Sequence, residues 1–148
     1  MDTNMGSVDM RRMDYLQLIT QETRANILRV IRGHPQKLPS MVELDLLLEE
    51  HKSTLYEHLS QLIDKGIIVR YMASTEQEDK SPYVFYGLTP LGYDLVESTT
   101  VFESAEEIRE EYQNRAAGCE ISAYERLPRP QEAVDTVREQ TEDIESNQ

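Results

Sequence analysis

The sequence contains a single cysteine, Cys119, and no tryptophan. One cysteine excludes an intrachain disulfide, a metal site built from a pair of cysteines and a cysteine-pair redox switch. Long apolar runs are also missing. The sequence has no stretch of about 18 apolar residues, the length needed to cross a bilayer. The first residues are polar and acidic, unlike a signal peptide. These absences lead us to expect a cytoplasmic protein without a membrane partner.

Positive charge is scarce as well. The sequence has 15 Lys and Arg residues and 28 Asp and Glu residues, which gives a formal net charge of −13. Residues 1–100 carry 10 basic and 15 acidic residues, net −5, and residues 101–148 carry 5 and 13, net −8. No acidic residue lies between Thr23 and Val42, where the cations are Arg24, Arg29, Arg32 and Lys37. For the arginines a solvated helix surface is the simpler interpretation, and contact with phosphate is the alternative.

Groups suited to catalysis or metal binding are few. The three histidines are His34, His51 and His58, and none has an evident partner for a catalytic triad. No glycine-rich phosphate loop or known metal-ligand spacing is present. A zinc site from His51 and His58 is a weak hypothesis, because an N-cap at Ser53 or Thr54 leaves His51 outside the helix. We therefore expect no enzyme activity, no metal and no cofactor.

Two consecutive helices are well indicated. Ser40-Met-Val-Glu43 is a capping box, which predicts a helix over about residues 41–48. After a four-residue turn, Leu55, Leu59 and Leu62 recur at spacings of four and three and so share one side of a second helix. Its N-cap is Ser53, or Thr54 paired with Glu57 in a second capping box. Gly66 can end this helix in a left-handed conformation.

A predicted β-hairpin follows this second helix. In the period-2 run over 67–72, Ile67, Val69 and Tyr71 alternate with Ile68, Arg70 and Met72. Residues 74–81 are polar, and a second β-rich run covers 83–88. Thr89-Pro90 then opens another helix as N-cap and N1 proline, and Gly92 permits close packing in it. The order is helix, turn, helix, strand, hairpin and strand.

These motifs resemble the winged helix-turn-helix transcriptional regulators of the MarR, ArsR and PadR type. The resemblance is carried by Ser53-Thr-Leu-Tyr-Glu-His-Leu, by Lys65-Gly-Ile-Ile-x-Arg70 and by Tyr86-Gly-Leu-Thr-Pro-Leu-Gly-Tyr-Asp-Leu95. Upstream, Thr23-Arg-x-x-Ile-Leu is similar to the opening helix of the ArsR group. The resemblance to these regulators implies a mainly α fold with a small β-hairpin (α+β). In such a fold, helix 53–65 enters the DNA major groove and wing 73–82 reaches the flanking backbone.

The resemblance and the helical spacing together select candidate contacts to double-stranded DNA. They are Lys52, Ser53, Thr54, Tyr56, Glu57 and Gln61 on the recognition helix, and Arg70 and Lys80 beside the wing. Gln can pair with adenine through two hydrogen bonds, Glu can accept from the cytosine amino group, and Lys, Ser and Thr suit phosphates. A capping role is the alternative for Glu57. Lys80 is the one cation of an acidic wing, so the wing gains little from phosphates.

The C-terminal third contains a further amphipathic segment. Ser104-Ala-Glu-Glu107 is another capping box, followed by an apolar stripe. By resemblance to regulators whose terminal helices pair across a two-fold axis, we predict a homodimer interface at Val101, Phe102, Ala105, Ile108 and Tyr112. A short N-terminal helix over residues 10–19 could add to it. The alternative is that the segment folds back on its own domain.

The predicted organisation has four parts: a loose arm over 1–9, the DNA-binding domain over 10–100, a dimerisation helix over 101–117 and a mobile acidic tail over 118–148. The sequence favours a dimeric, sequence-specific transcriptional regulator. The alternative, favoured by the acidic wing, is a protein-interaction adaptor of the transcription apparatus that binds no specific DNA. No effector ligand is indicated.

The acidic composition suggests a source as well. At molar salt the Debye length falls to about 3 Å, so that repulsion between an acidic protein and DNA nearly vanishes. An acidic body with a local basic segment is therefore what we expect from a halophilic archaeon.

Overall fold

The computed structural model describes residues 3–73 and 83–146, and the side chains within 11–73 and 83–142. The helices of this part are α1 (Thr3–Thr20), α2 (Glu22–Gly33), α3 (Met41–Leu48), α4 (Lys52–Asp64), α5 (Pro90–Ser98), α6 (Ala105–Ala117), α7 (Ser122–Glu125) and α8 (Gln131–Ser146). The strands are β1 (Ile68–Ala73) and β2 (Tyr83–Leu88). No helix of the described ranges is long and apolar enough to cross a membrane.

The segment from α2 to α5 has the order of a winged helix-turn-helix. Helices α2, α3 and α4 are followed by β1 and β2, which pair antiparallel in a register that runs from Ile68 opposite Leu88 to Ala73 opposite Tyr83. A single bridge joins Ser40 to Phe85 and so ties the start of α3 to the hairpin. The predicted fold class, mainly α with a small β-hairpin, is confirmed.

One hydrophobic core holds these elements together. The inward side of α4 consists of Leu55, Leu59 and Leu62, which are at most 1% exposed, as the leucine spacing predicted. Each such side chain contributes about 1.5–3 kcal/mol by leaving water. They pack against the buried face of α2, and its Ile27 and Ile31 are fully buried. This packing fixes which side of α4 faces solvent.

Local signals set several element boundaries where the sequence predicted them. Ser40 accepts from the Glu43 amide and Glu43 accepts from the Ser40 amide, which completes the predicted capping box. Gly66 has a φ of 73° after α4, a conformation that costs glycine nothing. Thr89 caps α5 by accepting from the Gly92 amide, with Pro90 in the first turn. All of these predictions are confirmed.

The start of α2 is set by the Gln21 side chain, which accepts from the Arg24 amide. The predicted start of α4 is wrong by one or two residues. α4 begins at Lys52 with His51 as N-cap, so neither Ser53 nor Thr54 caps it. The reason lies in the preceding turn, where Glu49 adopts a left-handed conformation and returns the chain to helix before Ser53 is reached.

The N-terminal segment also differs from the prediction. Residues 3–9, expected to be a loose arm, continue the backbone of α1, while residues 1–2 lie outside the described part. α1 is anchored at its other end, because Ile19 is fully buried in the core. A helix fixed at one end can extend through polar residues, since each added residue gains a hydrogen bond without a new nucleation step.

α6 folds back on its own chain and packs against α2. A Cβ added to Gly33 would lie 2.9 Å from the Tyr112 Cβ, so only glycine allows the two helices to approach this closely. Of the five residues that we predicted at a dimer interface, Phe102, Ile108 and Tyr112 are buried within this one chain. Their assignment to an interface is corrected accordingly. Val101 and Ala105 remain partly exposed.

Residues 118–133 are part of the fold rather than a free tail. Ile121 and Ala133 are at most 2% exposed, and Arg129 is 7% exposed. The Arg129 guanidinium bonds the Glu43 carboxylate and the Leu38 carbonyl oxygen. The prediction of a mobile tail is therefore wrong over residues 118–133. The sequence pattern gives no sign that Arg129 pairs with the buried Glu43, and this pair holds the segment in place.

Candidate nucleic-acid interface

The side of α4 opposite the leucines is open to solvent. Lys52, Ser53, Tyr56, Glu57 and Ser60 are exposed there, and 49% of the Tyr56 surface is accessible. Thr54 is half-buried on the flank. Lysine, hydroxyl groups, a phenol and a carboxylate thus share one helical surface and can offer both donors and acceptors to a nucleic acid.

Tyr56 connects this surface to the hairpin. Burial, and after it the nearby Tyr56, raise the pKa of the Tyr86 hydroxyl, while Arg70 lowers it, so the three side chains lie within electrostatic reach. Tyr86 stands opposite Arg70 in the β1–β2 register. Arg70 is exposed on β1, which places a cation on the hairpin close to α4. Lys80 and the other residues of the predicted wing (73–82), apart from Ala73, lie outside the described residues.

Arg24 of α2 holds the Gln61 side chain by a hydrogen bond. The Arg24 guanidinium donates to Gln61 Oε1 at 2.8 Å, contacts His58 Nδ1 at 3.0 Å and also bonds the Leu18 carbonyl oxygen. Arginine has no acceptor, so the Gln61 atom facing it must be the oxygen. The Nε2 amino group is therefore the end of Gln61 that stays available. The sequence analysis missed this arrangement, because 37 residues separate Arg24 from Gln61.

The other arginines of α2 are engaged within the chain. Arg29 Nε lies 3.0 Å from both carboxylate oxygens of Glu103, and Arg32 pairs with Glu97. Two of the cations considered for phosphate contact are thus neutralised by glutamates. The basic segment seen in the sequence does not form a continuous basic surface.

Further cations lie at the other end of α4. Lys65 and Arg11 line a surface cleft of about 230 Å³ together with Asp14 and Tyr15. α1 therefore runs beside the C-terminus of the recognition helix. Sequence reasoning overlooked both cations, since the arrangement depends on how α1 crosses α4.

The described side chains provide no metal centre. Among them, no group of three His, Cys, Asp or Glu residues is close enough to hold an ion. His51 is the N-cap of α4, and His58 contacts Arg24. Cys119 is partly buried, with its Sγ 3.3 Å from the Leu46 carbonyl oxygen.

Comparison with known proteins places the fold. No family model matches the sequence, and no curated protein is significantly similar to it. Among solved structures, the chain is similar to a protein with a GntR superfamily winged-helix-turn-helix domain from Halomicrobium mukohataei. The two share 24% identity with a TM-score of 0.59, over 90% of this chain and 84% of that one. At this identity the likeness establishes a winged helix-turn-helix fold.

Proposed function

We propose that this protein is a dimeric, sequence-specific DNA-binding transcriptional regulator of the MarR, ArsR and PadR type, with no enzymatic activity. The observation that carries the proposal is the exposed face of α4, which lies directly beside the hairpin. In winged helix-turn-helix proteins a helix so placed enters the major groove. Within the part of the chain that the structure describes, Ser53, Tyr56, Glu57 and Ser60 are exposed, so they can meet base edges.

We assign the residues of this face by their chemistry. Lys52 and Ser53 at the start of α4, with Thr54, bond phosphates and set the register. Glu57 is exposed and accepts from a cytosine amino group. Arg70 and Lys80 contact the flanking backbone. Tyr56 lies on the side of α4 that is near the hairpin, and there its ring packs on the sugar-phosphate edge of the groove.

For Gln61 the structure changes the base that we propose it reads. Pairing with adenine through two hydrogen bonds needs both the oxygen and the nitrogen of the amide. The oxygen is engaged by Arg24. The remaining Nε2 donor suits an acceptor, either O6 or N7 of guanine or O4 of thymine.

The dimer belongs to the same proposal. Two copies related by a two-fold axis would place their α4 helices in successive major grooves, about 10 base pairs apart. The proposed interface uses Val101, Ala105 and the outer face of α1, where 61% of the Met13 surface is exposed. Sedimentation equilibrium gives the mass directly. A species of 17.2 kDa at all concentrations would rule out the dimer.

High salt is the proposed working condition, as for a protein of a halophilic archaeon. With a net charge of −13 the molecule repels DNA unless the charges are screened. A protein that is folded and binds DNA only at low salt would contradict this part of the proposal.

The second candidate is a protein-interaction adaptor. It is favoured by Glu57 and Asp64, two carboxylates on the exposed side of α4. In that case the same face would bind a basic protein surface rather than DNA.

Selection from a random pool of duplex DNA, repeated at several potassium chloride concentrations and read by sequencing, separates the two candidates. The proposed function predicts enrichment of a roughly palindromic site. If a demonstrably folded protein enriches nothing at any salt concentration, the adaptor is the better account.

A further inference from the structure

A cleft of about 460 Å³ lies on the side of the molecule where α6 packs on the end of α2. Its walls come from the α2–α3 turn, from α6 and from α7, and they include His34, Lys37, Arg109, Tyr112, Ala116 and Glu125. Small-molecule sites commonly measure about 300–1,000 Å³. The cleft is therefore large enough for a small ligand, and no assigned DNA contact lines it.

Two cations line the cleft. Among the described side chains, neither Lys37 nor Arg109 takes part in an ion pair, and the nearby Glu97 is paired with Arg32. The one carboxylate of the lining, Glu125, accepts a hydrogen bond of 2.6 Å from the Tyr112 hydroxyl. The lining thus carries a net positive charge in a strongly acidic protein.

The position of Lys37 is costly in two ways. Its φ of 57° is left-handed, a conformation that is unfavourable for a residue with a side chain. Burial lowers the pKa of its ammonium group, and the nearby Arg32 and Arg109 lower it further, with Glu97 acting in the opposite direction. An anion between Lys37 and Arg109 would relieve their repulsion. Residues held in a strained backbone conformation cluster where ligands bind.

The floor of the cleft is connected to the helix-turn-helix. His34 is fully buried, and its Nδ1 accepts from the Gln36 amide, so Nε2 carries the proton that is donated to Glu43 Oε1 at 2.7 Å. Glu43 in turn caps α3 through the Ser40 amide. A ligand that shifts His34 or Tyr112 would therefore act on the start of the first helix of the helix-turn-helix.

We propose that this cleft binds a small organic anion with one carboxylate and an apolar body, and that its occupancy changes DNA binding through His34 and Glu43. The binding site stands on its own, whereas the regulatory effect rests on the proposed function. Lys37 and Arg109 hold the carboxylate from two sides. The Tyr112 ring and Ala116 contact the apolar part.

The charge of the cleft favours one carboxylate over a more highly charged group. Lys37 and Arg109 supply two positive charges, and Glu125 removes one of them. A second negative charge on the ligand would have to lie near Glu125 without compensation. Inorganic phosphate, which has no apolar part and carries more than one charge near neutral pH, should therefore bind poorly.

Isothermal titration calorimetry at constant ionic strength tests the site. Hexanoate is the probe, its neutral analogue hexanamide tests the carboxylate, and inorganic phosphate tests the ligand class. Hexanoate should bind at least tenfold more tightly than either, and Lys37→Gln or Arg109→Gln should each weaken it roughly tenfold, the effect of one lost charge-assisted bond. Arg138→Gln, which removes an exposed cation of α8, should leave binding unchanged.

Failure to bind hexanoate, equal binding of hexanamide, tighter binding of phosphate or equal losses in Arg138→Gln would each overturn the site. The regulatory part is read separately, from the affinity for a selected DNA site with and without saturating hexanoate. The proposal expects a change of at least fivefold in the wild type and none in Lys37→Gln, and an unchanged affinity would overturn it. A wild type that binds hexanoate but no DNA would defeat the proposed function and leave the site intact.

Discussion

At the scale of single residues, Arg24 controls which groups Gln61 can present to DNA. Replacing Arg24 by Met keeps an unbranched side chain as far as the position of Nε and removes every donor, so Gln61 Oε1 is released. We expect the selected site to shift toward adenine at one position, with other positions unchanged, because both ends of the amide become available. The difference in binding free energy between bases at that position should change by about 1–3 kcal/mol.

The measurement is a repeat of the DNA selection with Arg24→Met, after thermal unfolding has shown the variant to be folded. Gln61→Ala is the matched control, and it should relax the same position without favouring adenine. A selected site identical to that of the wild type would show that Gln61 does not read a base.

Glu43 makes the stability of the fold depend on pH. Burial raises the pKa of this carboxyl group, but the hydrogen bonds from His34 and the Ser40 amide and the charge of Arg129 lower it by more, so the net pKa lies below the usual 4.5. A carboxyl group whose pKa is lowered by folding stabilises the folded state at pH values above its pKa in the unfolded state. This contribution is lost as the pH falls through the folded pKa.

Glu43→Gln should therefore cost about 3–5 kcal/mol at pH 7, since it leaves the buried Arg129 unpaired. The difference in free energy of unfolding between wild type and variant should shrink below about pH 4.5. Urea unfolding from pH 7 to pH 3 measures it. The exposed Glu106→Gln serves as control and should stay within about 0.5 kcal/mol of wild type. A difference that does not vary with pH would contradict the role of the Glu43 charge.

At the scale of elements, Gly92 sets how closely α5 approaches the start of the hairpin. A Cβ at this position would lie 2.2 Å from the backbone oxygen of Ile67, which cannot rotate away. Gly92→Ala should thus destabilise the protein by roughly 1–3 kcal/mol or more. Gly118→Ala is the matched control, because its nearest neighbour is at 3.7 Å and its effect should be small.

Thermal and urea unfolding of both variants test this prediction. Equal stability of Gly92→Ala and Gly118→Ala would mean that α5 can move away from Ile67 at no cost. The hairpin would then be less firmly seated than the structure indicates.

The elements also show which features can be inferred from sequence. The Ser40 capping box, the turn at Gly66 and the cap at Thr89 depend on residues at most four apart, and so their sequence patterns suffice. The start of α4 was missed because Ser53 and Thr54 are both good caps while the turn before them decides the outcome. Propensity is a weak guide where tertiary structure sets the boundary.

Long-range pairs could not be inferred in this way. Arg129 and Glu43 are 86 residues apart, and neither position has a local pattern that points to the other. The apolar stripe of α6 was recognised correctly, but a stripe shows only that a surface is buried. Whether α2 or a second chain covers it depends on the three-dimensional packing. The cleft at Lys37 and Arg109 arises from the same packing and was missed as well.

At the scale of the whole molecule, a strongly acidic protein is proposed to bind a polyanion. Phosphate contacts release counterions, so the logarithm of the binding constant falls with the logarithm of salt concentration by about 0.9 per contact. Lys52→Ala should lower the affinity for all duplexes alike and reduce this slope by about 0.9. Arg138→Ala removes the same charge from exposed α8 and should leave the slope unchanged.

Fluorescence anisotropy over a series of potassium chloride concentrations gives these slopes. If both variants reduce the slope equally, DNA responds to the net charge of the protein rather than to the N-terminus of α4. That result would remove Lys52 from the proposed interface.

The central claim is that the exposed face of α4 reads DNA sequence. The most direct measurement is the ratio of affinities for a selected site and for a shuffled duplex of the same length and composition, at one salt concentration. The account predicts a ratio of at least about 1,000 for the wild type, in the range of specific regulators. It should fall by more than tenfold when Tyr56 and Glu57 are both replaced by Ala. A wild-type ratio near 1, from folded protein, would contradict the claim.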